Sequence, residues 1–375
     1  MNISKPKFII TLAAAFVLGI ALSGIGFYAL GSTGASSPAD SDKLSEIQKY
    51  IDSYYLEEYD RDELAEGMYK GYVQGLGDPY SVYMDSEEYD SWKATATGDY
   101  SGIGITFSED DRGRYVVLSV SPDSPAEKAG IKEGDFILTV DGKEYEVPDV
   151  MAAAIRGKEG TPVTIEVARD GEKKTFRITR EKITTKSVEG RMLDRDTGYI
   201  SISSFVNSTG EDFGKALDKI EESGAEFLIL DLRDNGGGLV DQCVEVADRF
   251  LDKGVVCYVQ DKDGNSESYD AEDGRTKLKT VVLVNENSAS ASEILAAALQ
   301  DNGYQVVGNN TFGKGVIQTT LEMSDGSALK LTIMEYLSPD KHKVNKVGVK
   351  PDVSVEDKES TEADEQLEKA KTLLN

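Results

Sequence analysis

LILDLRDNGGG, residues 228–238, is the stretch that decides the fold. Its opening run, Leu228 to Leu232, is apolar apart from Asp231 and reads as a buried strand. The strand runs out through Arg233, Asp234 and Asn235 into three glycines, ahead of a helix-like segment at 239–251. The same order recurs on both sides. Strand-like runs at 198–203, 281–285 and 305–308 alternate with helix-like ones at 212–223 and 292–301. Alternation of this kind predicts an α/β layered core over 183–355, with 330–336 as another strand of the same sheet.

Upstream the texture changes. Residues 98–182 carry short alternating strands at 115–120, 136–140, 163–169 and 174–179, with helical pieces at 125–129 and 148–156. That order predicts a small β-barrel with two helices. The blocks YSGIGITF (100–107), SPDSPAEKAG (121–130) and GDFILTVDG (134–142) together resemble a PDZ domain. Gly102 and Gly104 would let backbone N–H groups turn toward a ligand's terminal carboxylate. The strand holding Ile103 and Ile105 would pair with the peptide by β-augmentation, and Val150 and Ala154, one helical turn apart, would face the groove. The competing reading is that the glycines only shape a turn.

The N-terminal part is organised differently. Residues 8–30, FIITLAAAFVLGIALSGIGFYAL, are uncharged and mostly apolar, and as a helix would span roughly 34 Å, enough to cross a bilayer. Lys5 and Lys7 precede the run and no basic residue follows until Lys43, so the positive-inside bias exports everything after it. Residues 1–30 therefore read as a cytoplasmic stub and single-pass membrane anchor, with the working part outside the cytoplasm; a cleaved signal peptide is the competing reading. A small-residue linker, 31–40, leads to a helical cap at 41–97 with Leu44, Ile47, Ile51, Leu64, Met68 and Tyr72 as its apolar stripe. That stripe needs a partner, either the main domain or a second copy in a homodimer. The charged tail, 356–375, reads as a solvated terminal helix.

Composition removes whole classes of function. A net charge of −27 with no basic stripe would repel a phosphate backbone, so nucleic acid is not an expected partner. Cys243 and Cys257, with no Cys-x-x-Cys pair and His342 as the single histidine, exclude the usual zinc sites, and no metal or cofactor is expected. Two buried thiols are favoured over a disulfide.

Candidate chemistry lies in three places. Gly236, Gly237 and Gly238 at a strand-to-helix turn could serve a dinucleotide, but Asp241 stands where the third glycine of that fingerprint should fall. The same geometry suits an oxyanion hole. NSASASEI, 287–294, places several serines before a helix; Ser292 reads as an N-cap, and the run alone would be structural. TFGKG, 311–315, sets Lys314 between two glycines, either as a surface turn or as an interior base beside a serine. His342 lies among charged residues, so an ordinary triad is not expected. Ser338 and Lys341 have Ser-x-x-Lys spacing, but Pro339 and Asp340 read as a turn and not as the helical turn such a pair needs.

The blocks DLRDNGGG, SASASEILAAALQD, TFGKGVIQ, DGSALKLT and GVKPD, in that order, resemble the carboxyl-terminal processing (tail-specific) proteases. The resemblance covers nearly everything after the membrane span. It implies a ClpP/crotonase-like layered protease core in a multidomain α/β protein, with Ser290 as nucleophile, Lys314 as general base and Gln318 positioning the lysine. It further implies an oxyanion hole from the Ala291 N–H and a glycine at Gly237 or Gly238. The expected activity is a membrane-anchored serine endopeptidase that takes protein or peptide substrates by apolar C-terminal tails. The alternative is an inactive, membrane-anchored PDZ scaffold. One departure from the pattern is DNGYQVVG, 301–308, one residue shorter in a helix-to-strand turn. Free lysine titrates near 10.4 and a useful base near 7, so Lys314 would need a depression of roughly 3 units, mostly by desolvation. Phe312, Val316 and Ile317 are the expected apolar cover.

Overall fold

The computed structural model describes residues 38–374 apart from 111, 146–147, 170, 185, 273 and 357–363. The anchor expected at 8–30 lies outside the described residues, and among these no helix is long and apolar enough to cross a membrane. Two compact units meet in the sequence between Gly67 and Met68. The first holds helix Pro38–Tyr54, which takes in the end of the expected linker, and the start of helix Arg61–Gln74. Tyr59 and Arg61 both bond the Asp52 carboxylate across the intervening turn. Leu44, Ile47 and Leu64 of the expected stripe are exposed.

In the second unit, Asp78 accepts from the Tyr80 N–H at 3.1 Å and the Ser81 hydroxyl at 2.6 Å, closing a side-chain turn. The turn feeds β1 (Val82–Met84), so the segment 41–97 is not wholly helical. Asp85 and Glu88 then form a reciprocal capping box on helix Ser86–Thr97. Gly98 ends that helix at φ 69°, where a Cβ would meet the Val206 side chain at 2.6 Å.

β2 (Asp99–Gly102) enters the PDZ-like domain. Its sheet runs β3 (Ile105–Glu109), β4 (Tyr115–Val120), β5 (Phe136–Val140), β6 (Pro162–Arg169) and β7 (Glu172–Thr179), antiparallel in chain order. β8 (Glu181–Thr184) leaves antiparallel to β2, so entry and exit form one stem. On β6 the alternation is literal, with Val163, Ile165 and Val167 fully buried at every second position. They pack with Ile103, Val117, Val140 and Met151 into a separate core.

The largest domain follows as β9 (Val188–Met192), β10 (Thr197–Ile202), β11 (Phe227–Asp231), β12 (Gly254–Asp261), β13 (Ser266–Ala271), β14 (Lys279–Val284), β15 (Gln305–Gly308), β16 (Val316–Glu322), β17 (Ala328–Leu337) and β18 (Val353–Ser354). One sheet has the order β18-β15-β14-β11-β10-β9, parallel except for β9. Both faces are covered, which is why its strands read as unbroken apolar runs. Leu228 and Leu230 face helices Thr209–Glu222, Val240–Ala247 and Ala291–Asp301, while Ile229 faces the other way.

Two expectations are corrected here. The tail is not solvated: helix Glu365–Leu374 lays Ala370 and Leu374 on Tyr199, Ile229, Val281 and Val307, covering the second face. A buried leucine there contributes about 1.5–3 kcal/mol, which its charged sequence conceals. The strand expected at 330–336 is part of β17, which belongs to a second sheet, β1-β17-β12-β13 with β16 on β17. Its alternating pattern could not say which sheet it joins. The shortened helix-to-strand turn is made at Gly303, φ 86°, and β15 keeps its register with β14.

Candidate active site

β11 delivers its loop to the end of the parallel sheet. Beyond it, Arg233 is held by Asp231 and by Asp364 of the tail, at 2.6 and 2.8 Å, and the Tyr199 hydroxyl donates to Asp231 at 2.7 Å. Asn235, fully buried, donates to the Ile202 carbonyl and accepts the Gly237 N–H, each at 2.8 Å. Gly237 has φ 101°, and a Cβ there would lie 2.7 Å from the Ala289 carbonyl oxygen and 2.8 Å from Ser290 Cβ. The glycine loop thus touches the serine loop backbone to backbone. Gly238, at φ 140°, faces the Phe205 carbonyl at 2.1 Å from an added Cβ. Asn235 occupies the Gly237 N–H, whereas the Gly238 N–H has no protein acceptor among the described residues.

The serines separate by their partners. Ser288 donates to the Leu232 carbonyl at 2.8 Å and Ser292 to the Asn235 carbonyl at 2.9 Å, both fully buried. These hydroxyls fasten the serine loop to the glycine loop. Ser290 has φ 56° and ψ −115°, a strained conformation for a residue other than glycine, and stands at the N-cap of helix Ala291–Asp301. The cap expected at Ser292 is therefore at Ser290. Ala291 is the first helical residue, and its N–H bonds no protein acceptor among the described residues. Cys243 donates its thiol to the Ala291 carbonyl at 3.2 Å, and both it and Cys257 are free, buried thiols.

Two residues missing from the sequence reading organise the centre. Glu293 is fully buried and accepts the N–H groups of Ser290, Gly313 and Lys314 at 2.9, 2.7 and 2.8 Å, and the Thr311 hydroxyl at 2.5 Å. Tyr336, on β17, donates its hydroxyl to the carbonyls of Ser290 at 3.0 Å and Lys314 at 2.7 Å. Burial pushes that phenol well above its ordinary range. The Ser-x-x-Glu spacing of 290–293 is a capping-box signal that could have found Glu293. No local pattern points to Tyr336.

Lys314 is half-buried. Its amine makes no ion pair among the described residues and lies 5.1 Å from the centroid of the Tyr80 ring. Burial lowers its pKa first and the charge of Lys330 second, while Glu293 and Asp78 oppose them. Of the expected cover, Phe312 is 59% exposed, and Val316 and Ile317 are half-buried. The structure joins the backbones of Ser290 and Lys314 but records no hydrogen bond between their side chains among the described residues. Gln318 bonds the Val316 carbonyl and Thr332 hydroxyl at 3.4 and 3.3 Å, and not Lys314. His342 is an exposed neighbour of Asp301, and Lys341 sits in a turn over Tyr258.

In the PDZ-like domain, Ile103 is core, and Gly104 has φ 81° where a Cβ would strike Ser124 at 2.4 Å. A cavity of about 260 Å³ lies along Tyr100, Ile103, Gly104, Ile105 and Phe107. Gly102 is not in its lining but pairs with Glu181 in the stem. On the helix side the cavity is lined by Ala152, Ile155 and Arg156, and Ala154 instead lines a second cavity against helix Ser86–Thr97. Val150 is in the helix, and its side chain lies outside the described residues. No cluster of His, Cys, Asp and Glu fit for a metal occurs among the described residues.

Comparison with known proteins follows the same division. Peptidase family S41 matches residues 196–355, a PDZ domain matches 101–179, and the N-terminal domain of the activating protease CtpB matches 29–88. The chain is 40% identical over 360 residues to the carboxy-terminal processing protease CtpA of Bacillus subtilis (strain 168), covering 94% of this chain and 77% of that one. It is 37% identical over 355 residues to the "Probable CtpA-like serine protease" of Staphylococcus aureus (strain MSSA476), covering 93% and 70%. Among solved structures, the photosystem II D1 C-terminal processing protease is 30% identical, with a TM-score of 0.50 over 84% of this chain and 86% of that one.

Proposed function

The chain belongs to peptidase family S41 and is a serine-type, carboxy-terminal processing peptidase, and from that premise we propose that it cleaves peptide bonds with a Ser290–Lys314 dyad. The observation that carries this reading is the double stitching of the two segments, since Glu293 and Tyr336 each bond the backbone of both. Neither residue type is needed to close an ordinary turn. Together they fix where the serine and the lysine start.

In the proposed mechanism, neutral Lys314 takes the proton of Ser290 Oγ as the oxygen attacks a substrate carbonyl. The resulting oxyanion is met by the N–H groups of Ala291 and Gly238, the first at the positive end of a helix. Of the two glycines expected, Gly238 is preferred because Asn235 already holds the Gly237 N–H. The lysine ammonium then returns its proton to the leaving amine, and water, deprotonated by the same lysine, releases the acyl group. Gln318 joins by turning from Thr332 toward the amine.

The PDZ domain takes the substrate's apolar C-terminal tail as an added strand beside Ile105. Gly104 and Ile105 offer the backbone, and the cavity wall at Ala152 and Ile155 takes an apolar side chain. Residues 8–30 anchor the chain in the cell membrane with the catalytic part outside the cytoplasm. The exposed stripe of Leu44, Ile47 and Leu64 suits a homodimer.

The test is turnover of an unfolded protein by the full chain in detergent, beside Ser290→Ala and Lys314→Ala. Both variants should fall to background; equal proteolysis by all three would refute the dyad. Amidating the C-terminus of a peptide substrate should raise its KM, and indifference would count against carboxylate recognition.

A further inference from the structure

One side chain beside the lysine amine comes from neither of the segments that carry the dyad. Lys314 Nζ lies 5.1 Å from the Tyr80 ring centroid, and Tyr80 precedes the PDZ domain in the chain. We propose that Tyr80 is a positioning residue for Lys314, its ring forming the wall that keeps water from the amine and the turn 78–81 completing the proteolytic site. This inference rests on the Ser-Lys reading above.

The turn is built to hold that ring still. Asp78 accepts from the Tyr80 N–H and the Ser81 hydroxyl, and the Ser81 oxygen accepts the Thr332 N–H at 3.0 Å. β1 continues the attachment, pairing Val82 with Lys330 of β17. The Thr332 hydroxyl also accepts from Gln318 at 3.3 Å. One connected set of bonds therefore links the turn, β17 and the residue expected to steer the lysine. Phe312 is mostly exposed, and Val316 and Ile317 are only half-buried.

The groups that act on the amine are Lys330 on β17, Glu293 on helix Ala291–Asp301, and Asp78 and Tyr80 on the turn, while Tyr336 bonds the Lys314 carbonyl. Lys330 favours the neutral amine; Glu293 and Asp78 favour the ammonium. An aromatic face also attracts a cation. Burial is nevertheless the largest influence on this lysine and lowers its pKa, and the ring beside the amine is one part of that burial.

The experiment compares Tyr80→Ala, Tyr80→Phe and Lys314→Ala in the full chain, reading kcat, KM and the pH profile of kcat/KM on one peptide. Losing the wall raises the lysine pKa, so the acid limb of Tyr80→Ala should move to higher pH by about 1 unit, with kcat at neutral pH down about 10-fold. KM should change less than about twofold, and Tyr80→Phe should restore the wild-type profile, since a ring without its hydroxyl still excludes water. Partial misfolding lowers the whole profile without moving its limb. An unmoved limb or a faster Tyr80→Ala, with Lys314→Ala inactive, overturns the role of Tyr80 alone. Turnover by Lys314→Ala overturns the dyad and this inference together.

Discussion

Replacing Glu293 by glutamine keeps the shape of the buried side chain and changes only its bonding. The carboxylate accepts four donors, Thr311 and Gly313 on one oxygen and Ser290 and Lys314 on the other. An amide can accept on one oxygen only. If that oxygen faces Ser290 and Lys314, the amide N–H₂ can donate to the Thr311 hydroxyl but meets the Gly313 N–H head on. One buried donor is then unpaired, at about 1–3 kcal/mol. The remaining bonds lose charge assistance, which is partly offset because no charge is buried any longer. A net loss of about 3 kcal/mol follows, or a fall of about 6–12 °C in the melting temperature of a domain this size.

Activity should fall further than stability, because Glu293 sets both reacting segments. Displacing them by about 1 Å costs on the order of 100-fold in kcat. The pH profile carries an opposite sign. Glu293 raises the pKa of Lys314, so its removal lowers that pKa and moves the acid limb of kcat/KM to lower pH. Thermal melts by circular dichroism and steady-state kinetics on one peptide across pH read all three. A Glu293→Gln enzyme that melts within about 2 °C of wild type and keeps kcat within about threefold would refute the account of Glu293 as the tie between the two segments.

Other outcomes follow from the same geometry. Lys330→Gln removes the positive neighbour of Lys314, so the acid limb should rise by up to about 1 unit with little change in KM; a fall would contradict the electrostatics. Gly237→Ala places a methyl 2.7 Å from the Ala289 carbonyl oxygen at φ 101°, so kcat should drop by about 100-fold or more while peptide binding by the PDZ domain is retained. Arg233→Ala leaves Asp231 without its guanidinium and frees Asp364, so the melting transition should weaken by about 3–5 kcal/mol, as urea titration would record; an unchanged midpoint would show that the tail does not brace the glycine loop.

Local chemistry is what the sequence displays well. The apolar runs of β11, β14 and β15, the glycines after Asn235, and the serine and lysine blocks all keep their places in the structure, because each is set by residues within a few positions. The helix side of the PDZ cavity, at Ala152, Ile155 and Arg156, was not legible because eight mostly apolar residues carry little periodicity. The tail helix read as solvated because its charge is plain in the sequence, whereas the sheet face awaiting Ala370 and Leu374 is not.

By itself, then, the sequence determined the family, the order of domains and the residues expected to do the chemistry. Tertiary structure decided how those residues are held. Glu293 and Tyr336 join Ser290 to Lys314, and Tyr80, from the far side of the PDZ domain in the chain, walls the lysine. The physical reason is that strand edges pair by shape and backbone hydrogen bonds, which carry no local signature. Only when β1 and β16 meet on β17 do residues so distant in the chain share one lysine.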